Sequence, residues 1–456
     1  MKSVKLHFLG GAETVTGSKF LIETSSLNIL VDCGMFQGMK SLREQNWKDL
    51  AFPSSKIDFV LLTHGHLDHT GYLPRLVKQG FQGKIIGTLP TLEIAKIILL
   101  DSAKISEEEA ERANTENYSK HSPALPFYTI QDVEKTLKMF SPAEEDEWRK
   151  LSKDIFYRFK YNGHIIGATF IEIKVFEKIF VFSGDVGRQK DLLLRSPERP
   201  QYADYLFLES TYGNKLHPKD SVSEKLIELI NKTIYNRGTL IIPSFAVERL
   251  QTLMFLLSKL YNRHKIPNIP IFIDSPMGNN VLGVFERFPE WHKISLEEFS
   301  AMTDRMKIIT SYKETWETID DPRPKIVIAG SGMVTGGRVL TYLKQLVDKS
   351  NTNILLVGYQ AEGTRGRQLL EGAHELKFYG KYYAVKAEVH HIETLSAHAG
   401  QKGILEWISE IKERPRHTFL VHGEPTALQT LKVKIQDTYS WEVSIPKLNE
   451  VVELSI

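Results

Sequence analysis

Apolar and polar residues alternate in short runs through the first 90 positions, and tight turns separate the runs. A period of two is that of half-buried strands, and it predicts strands over 4–9, 19–23, 28–31 and 58–63. A long helical stretch follows from about 91 to 114, then three more strands over 155–160, 169–175 and 178–183. After Pro200 the pattern changes. Apolar runs at 205–208, 239–242, 271–273, 325–329 and 353–357 alternate with amphipathic helices, one after Asp220, one from Ala246 and one from about Gly337. That alternation predicts a doubly wound, largely parallel sheet. The segment 363–368 reads as a loop and 376–383 as a strand or a pair of short ones. The last 60 residues return to His-containing loops between shorter elements, and there is no internal repeat or low-complexity tract.

Composition narrows this picture. With 456 residues the chain exceeds one ordinary core, so two domains are expected. Hydrophobic content of 42% and charged content of 25% are those of a globular protein, and no run of 18 apolar residues offers a membrane span. The N-terminus runs straight into a strand pattern, without the longer apolar run of a signal peptide. Cys33 is the single cysteine, which excludes an intrachain disulfide and a Cys-rich zinc site and fits a reducing cytoplasm. Any metal must therefore be held by the 15 histidines and by carboxylates. A net charge of +2 does not describe a long nucleic-acid footprint, but a short cleft gripping a few phosphates needs no large global charge.

The strongest chemical signal is Val60–Leu61–Leu62–Thr63–His64–Gly65–His66–Leu67–Asp68–His69. An apolar strand ends at Thr63, and four ligand-type side chains follow within six residues. Residues two apart in an extended segment project to one side, so His64 and His66 can share one metal. Asp68 and His69, past a turn, can face a second. Imidazole and carboxylate suit zinc, and also manganese or iron. Four residues cannot close two sites, so further ligands are sought at other strand ends, where His164, Asp185 and His422 stand.

With VDCG at 31–34, HGHLDH at 64–69, GH at 163–164, SGD at 183–185 and HG at 422–423, the chain resembles the metallo-β-lactamase superfamily. The resemblance implies an αββα sandwich binding two zinc ions. By it, His64, His66 and His164 hold the first metal, Asp68, His69 and His422 hold the second, Asp185 bridges, and Asp32 orients the ligand loop from behind.

The chain is longer than that fold. ESTYG at 209–213, PSFAVER at 243–249, GSGMVTGG at 330–337, GYQAEGTRGRQ at 358–368 and SAHAG at 396–400 look like the β-CASP branch of the superfamily, and more closely like its RNA-processing endonucleases. The expected organisation is a metallo-β-lactamase domain over 1–203 and 388–456, with a doubly wound α/β β-CASP domain inserted at 204–387. Glu209, Ser244, Asp274, the Gly-Ser-Gly at 330–332 and Gly358 follow predicted strands, so they should line one ligand-binding edge of the insert. Ser331 and Gly332 can offer backbone N–H groups to phosphate, with Arg249, Arg338, Arg365 and Arg367 adding charge.

The resemblance implies hydrolysis of RNA phosphodiester bonds by a hydroxide held between two metals, with Asp68 in the catalytic set, His398 as general acid and Glu209 orienting it. The expected substrate is single-stranded RNA bound between the two domains and cut internally; additional cutting from a 5′ end and the balance of the two are left open. In this branch the position of His422 is a His in RNA-processing members and a Val in DNA-repair members. A DNA nuclease, a thioester or lactone hydrolase on the same core, and an inactive scaffold subunit are the rival readings; inactive relatives lose ligands, and all seven stand here. Replacement of zinc by manganese and assembly as a homodimer are left open.

Overall fold

The computed structural model describes residues 3–116, 119, 121–217 and 221–456, and it divides into two compact units, Met1–Leu216 with His398–Ile456, and His217–Ala397.

Among the described residues of the first unit, two seven-stranded sheets lie face to face. One runs in the order Val451–Ser455, Ser3–Gly10, Lys19–Glu23, Asn28–Val31, Phe59–Leu61, Lys84–Gly87, Phe140–Pro142. The other runs Val443–Ser444, His417–Val421, Tyr205–Glu209, Lys178–Phe182, Thr169–Val175, Ile155–Tyr161, Arg149–Ser152. Ile155–Tyr161 shows the logic, since Ile155, Tyr157, Phe159 and Tyr161 are buried while Phe156, Arg158 and Lys160 keep partial exposure. The inward residues of both sheets make one core, with Phe8, Phe20, Phe182, Phe207 and Phe419 at its centre. Helices cover both outer faces. Leu89–Thr115 buries Leu92, Leu99 and Ala103 on one side, and Gln401–Ile408 and Pro425–Tyr439 bury Ile404, Trp407, Leu428 and Leu431 on the other. The result is an αββα sandwich.

The second unit holds six parallel strands in the order Lys307–Ile308, Ile271–Asp274, Lys325–Ala329, Thr239–Pro243, Thr352–Val357, Glu388–Ile392. From Thr239–Pro243 the chain winds first to one side and then, from Thr352–Val357, to the other. Their buried, branched residues read as unbroken apolar runs because both faces are covered.

Three expectations are corrected. The insert does not run from 204 to 387: Tyr205–Glu209 pairs with Lys178–Phe182 and His417–Val421, so it belongs to the sandwich, while Glu388–Ile392 pairs with Thr352–Val357, so it belongs to the insert. Glu209 therefore does not lie on the insert's edge. Residues 363–368 are not all loop, because Thr364 caps the helix Arg365–Leu370 by accepting from the Arg367 N–H. The helix expected after Asp220 is Val222–Tyr235; Asp220 itself lies outside the described residues.

Candidate active site

The strand Phe59–Leu61 leads into Thr63, and His64–His69 fold back over the sheet's end through the short helix Leu67–Thr70. The turn is held by a close backbone approach: the Asp68 carbonyl accepts from the Ser18 N–H at 2.9 Å, and the His69 carbonyl from the Cys33 N–H at 2.7 Å. Gly34 fits there because a Cβ would fall 1.5 Å from the Asp68 oxygen. Lys19, fully buried, donates to the Gly17 and Gly34 carbonyls at 3.0 and 2.6 Å and lies over the Phe36 and Tyr72 rings. Burial pulls its pKa down to about 8.

Among the described residues three groups of ligand atoms form: His64, His66, His164 and Asp185; Asp68, His69 and His422; and Asp185 with Glu209 and His398, each with its atoms within 4.8 Å of one another. Asp185 stands between the first two. Its Oδ2 lies 3.5 Å from His64 Nε2 and 3.4 Å from His164 Nε2, while its Oδ1 lies 3.3 Å from His69 Nε2 and 3.2 Å from His422 Nδ1. His422 Nε2 is 3.4 Å from Asp68 Oδ2. Asp32 sits behind, accepting from the Thr63 N–H and Oγ1–H at 2.8 Å each and pairing with His69 Nδ1 at 2.7 Å.

The electrostatics suit cations. Burial and crowding by other histidines hold His64 and His164 well below the usual imidazole range, and burial takes His66 down to about 4, so all three are neutral, as metal ligands must be. Asp185 stays ionised despite burial because His422, His69 and His64 surround it. His69 goes the other way: burial disfavours its charge, but Asp185 and Asp32 push it well above its ordinary value, and a cation at Nε2 would replace that proton. His69 Nε2 and Asp185 Oδ1 are buried with no hydrogen-bond partner. An all-nitrogen-and-oxygen set of this kind fits zinc or another first-row divalent ion.

A dyad borders this cluster. His398 Nδ1 lies 3.2 Å from Glu209 Oε1, and His398 Nε2 points toward Asp185 at 3.9 Å. Glu209 is buried and held on both oxygens, by the Val186 N–H at 2.7 Å and the Thr211 N–H at 3.1 Å. Burial opposes a charge on His398, but Glu209 and Asp185 outweigh it and push the imidazole up to about 9.

The proposed phosphate-binding residues lie elsewhere, within the insert. Ser244, Asp274, Gly330–Gly332 and Gly358 all follow parallel strands at one edge. Ser331 Oγ bonds the Thr335 N–H at 3.1 Å, Phe245 packs against Gly332, and the Arg249 guanidinium lies beside Gly358. Arg338 stacks on Tyr312 and donates to Thr315, which with Tyr342 donates to the buried Asp274. Arg365 has structural work: it donates to the backbone carbonyls of Lys377, Val334 and Thr335. Sequence reasoning missed Lys19, Thr63 and Thr211, whose roles come from neighbours distant in the chain; a Lys opening an otherwise apolar strand was the one available signal.

Known proteins share this organisation. The profile of the metallo-beta-lactamase superfamily matches residues 15–103, that of the Beta-Casp domain residues 250–369, and that of the Zn-dependent metallo-hydrolase RNA specificity domain residues 382–446. Ribonuclease TTHA0252 of Thermus thermophilus is 32% identical over 97% of this chain and 98% of its own. Transcription termination factor FttA of Methanosarcina mazei is 28% identical over 93% of this chain and 67% of its own. A solved structure of a protein of unknown function from Enterococcus faecalis V583 shares the fold, with a TM-score of 0.55 at 12% identity, covering 99% of this chain and 100% of that one. The chain belongs to the metallo-β-lactamase superfamily, in its β-CASP family of metal-dependent, RNA-processing hydrolases.

Proposed function

We propose that this protein is a zinc-dependent ribonuclease that hydrolyses phosphodiester bonds of single-stranded RNA, cutting internally and also from a 5′ end. The observation that carries the reading is the convergence of seven ligand-type side chains and the His398–Glu209 pair around one carboxylate, Asp185. His64, His66 and His164 would hold one zinc ion, Asp68, His69 and His422 a second, with Asp185 shared. Bound zinc supplies Lewis acidity at the scissile phosphate and lowers the pKa of the attacking water.

The chain's own residues do the rest. Glu209 fixes the His398 ring through Nδ1, which leaves Nε2 facing the cluster. A protonated His398 then donates from Nε2 to the leaving oxygen, as a general acid. Asp32 keeps His69 in orientation through Nδ1, so that Nε2 serves as the ligand atom. In the insert, backbone N–H groups around Ser331 and Gly332 and the charge of Arg249 would grip substrate phosphates. RNA is favoured over DNA by the match of 382–446, which includes His398 and His422, to an RNA specificity domain, and by the ribonuclease among its relatives.

Matched single-stranded RNA and DNA oligonucleotides, assayed side by side with added zinc, test the reading. Faster RNA cleavage is expected, with elemental analysis giving about two zinc per chain. Equal or faster DNA cleavage would reduce the assignment to a general phosphodiesterase. Substoichiometric metal that neither zinc nor manganese restores would remove the two-ion centre.

A further inference from the structure

Within the insert, Glu375–Phe378 and Lys381–Ala384 form an antiparallel hairpin. The pleat sends Leu376 and Phe378 into the insert's core, with Tyr383 packed against them. The opposite face is built differently. Lys377 stands across from Tyr382, its Nζ 5.2 Å from the ring centroid, and that ring is 63% exposed. Tyr379 and Gly380 make the turn with φ of 47° and 82°, and Tyr379 is 54% exposed.

Two independent features single this hairpin out. The first is its turn. Two left-handed central residues define a type I′ hairpin, where Asn-Gly or Asp-Gly is the favoured pair. A tyrosine in the first position is strained, and its exposed ring recovers little of that cost by burial. Strained positions of this kind cluster at functional sites. The second feature is charge. The hairpin carries Lys377 and Lys381 against Glu375 alone, a net +1, and the exposed Lys386 follows it. Lysines interleaved with exposed tyrosines meet the needs of single-stranded nucleic acid: ammonium groups take phosphates, and rings stack bases of any identity.

The hairpin is also fixed in place. Arg365 Nε donates to the Lys377 carbonyl at 2.7 Å, and its Nη1 to the Val334 and Thr335 carbonyls at 3.3 Å each. The guanidinium thus ties the hairpin to the Gly-rich segment that follows Lys325–Ala329, at the sheet's carboxyl edge.

We propose that this hairpin is a docking finger for single-stranded RNA. Tyr379 and Tyr382 stack bases, Lys377 and Lys381 take phosphates, and Arg365 acts as a positioning residue that holds the finger to the Gly-rich loop. The proposal rests on the ribonuclease reading above. An acidic protein surface would use the lysines but would give two exposed rings no specific partner, so RNA is the better fit.

The test uses the full chain carrying His398→Ala, so that RNA is not consumed, and the anisotropy of a labelled, unstructured RNA of about 20 nucleotides. Tyr379→Asn installs the residue the turn favours, so Tyr379→Asn/Tyr382→Thr removes both rings without threatening the fold. Its Kd should rise about tenfold or more with Tm unchanged or higher. Lys377→Ala/Lys381→Ala should flatten the slope of log K against log salt by about 1.4. With His398 restored, the ring variant should raise KM and leave kcat within about twofold, since stacking away from the reacting atoms contributes equally to ground and transition states. Arg365→Ala should reproduce part of the ring variant's loss, and Arg365→Lys less of it. Parent affinity in the ring variant, in a protein that cleaves RNA, overturns the finger and leaves the ribonuclease intact. Loss confined to the lysine variant overturns stacking and fits a surface for acidic partners. A parent that neither binds nor cleaves RNA overturns both readings together.

Discussion

The sandwich and the insert both place their candidate chemistry at strand ends, yet they do so with different materials. In the sandwich the chemistry lies in side-chain identity: histidines and aspartates, buried, with Asp185 dividing its oxygens between two groups. In the insert it lies in backbone N–H groups, a Gly-rich loop and side chains of ordinary type. Among the described residues, every group able to hold a metal belongs to the sandwich unit. The difference teaches what each region can lose. A substitution among the candidate ligands is expected to remove a reaction, and one in the insert's loops to alter grip.

The largest expected effect follows from the shared carboxylate. Asp185→Ala should lower metal content as well as activity, down to the level of the chelator-treated protein, because both groups lose a ligand at once. Full metal occupancy in this variant, read by elemental analysis, would separate Asp185 from the metals. His398→Ala should keep its metal and still lose cleavage, on the order of 10²–10⁴-fold in kcat. Activity within a few-fold of the parent would take the acid role from His398.

The smallest effect concerns Lys19, a fully buried cation of the sandwich that is not a candidate ligand. Lys19 has a folded-state pKa of about 8, below its ordinary 10.5. Below pH 8 folded and unfolded chains both carry the proton, and the burial penalty is present in full. Between 8 and 10.5 the folded protein sheds it first, so this lysine makes stability rise with pH, by at most about 3 kcal/mol. Denaturant unfolding of parent and Lys19→Met at several pH values checks the sign: the parent's advantage should grow across that window. A constant gap would mean that Lys19 is not titrating there.

Legibility follows the same division. His64–His69 stood out because four specialised residues fall within six positions, and strand alternation marked Lys19–Glu23 and Asn28–Val31 to the residue. His164, Asp185 and His422 were weak alone, since one His or Asp at a strand end is commonplace; resemblance grouped them, and their spacing in space is a property of the fold. The family motif marks Asp32 for an orienting role, while its partner Thr63 stays hidden, because a threonine at a strand end carries no signal. The insert was legible as alternating elements but not at its borders. Whether Tyr205–Glu209 and Glu388–Ile392 join one sheet or another depends on pairing partners far along the chain. Helices Leu296–Thr303 and Tyr312–Asp320 went unread, although Ser295 with Glu298 and Ser311 with Glu314 are capping boxes visible in sequence.

The pairing of Ser3–Gly10 with Val451–Ser455, and of Tyr205–Glu209 with His417–Val421, has a consequence for biogenesis. A ribosome delivers this chain from the N-terminus, and domains fold as units while it does so. Six of the seven candidate ligands precede His217–Ala397, and His422 follows it. The insert's parallel sheet can therefore complete itself while the sandwich still waits for His417–Val421, next to the edge of one sheet, and for His422. If these residues hold the metals, capture is a late event in synthesis, and a nascent chain stalled anywhere inside the insert would carry six candidate ligands and no finished nuclease.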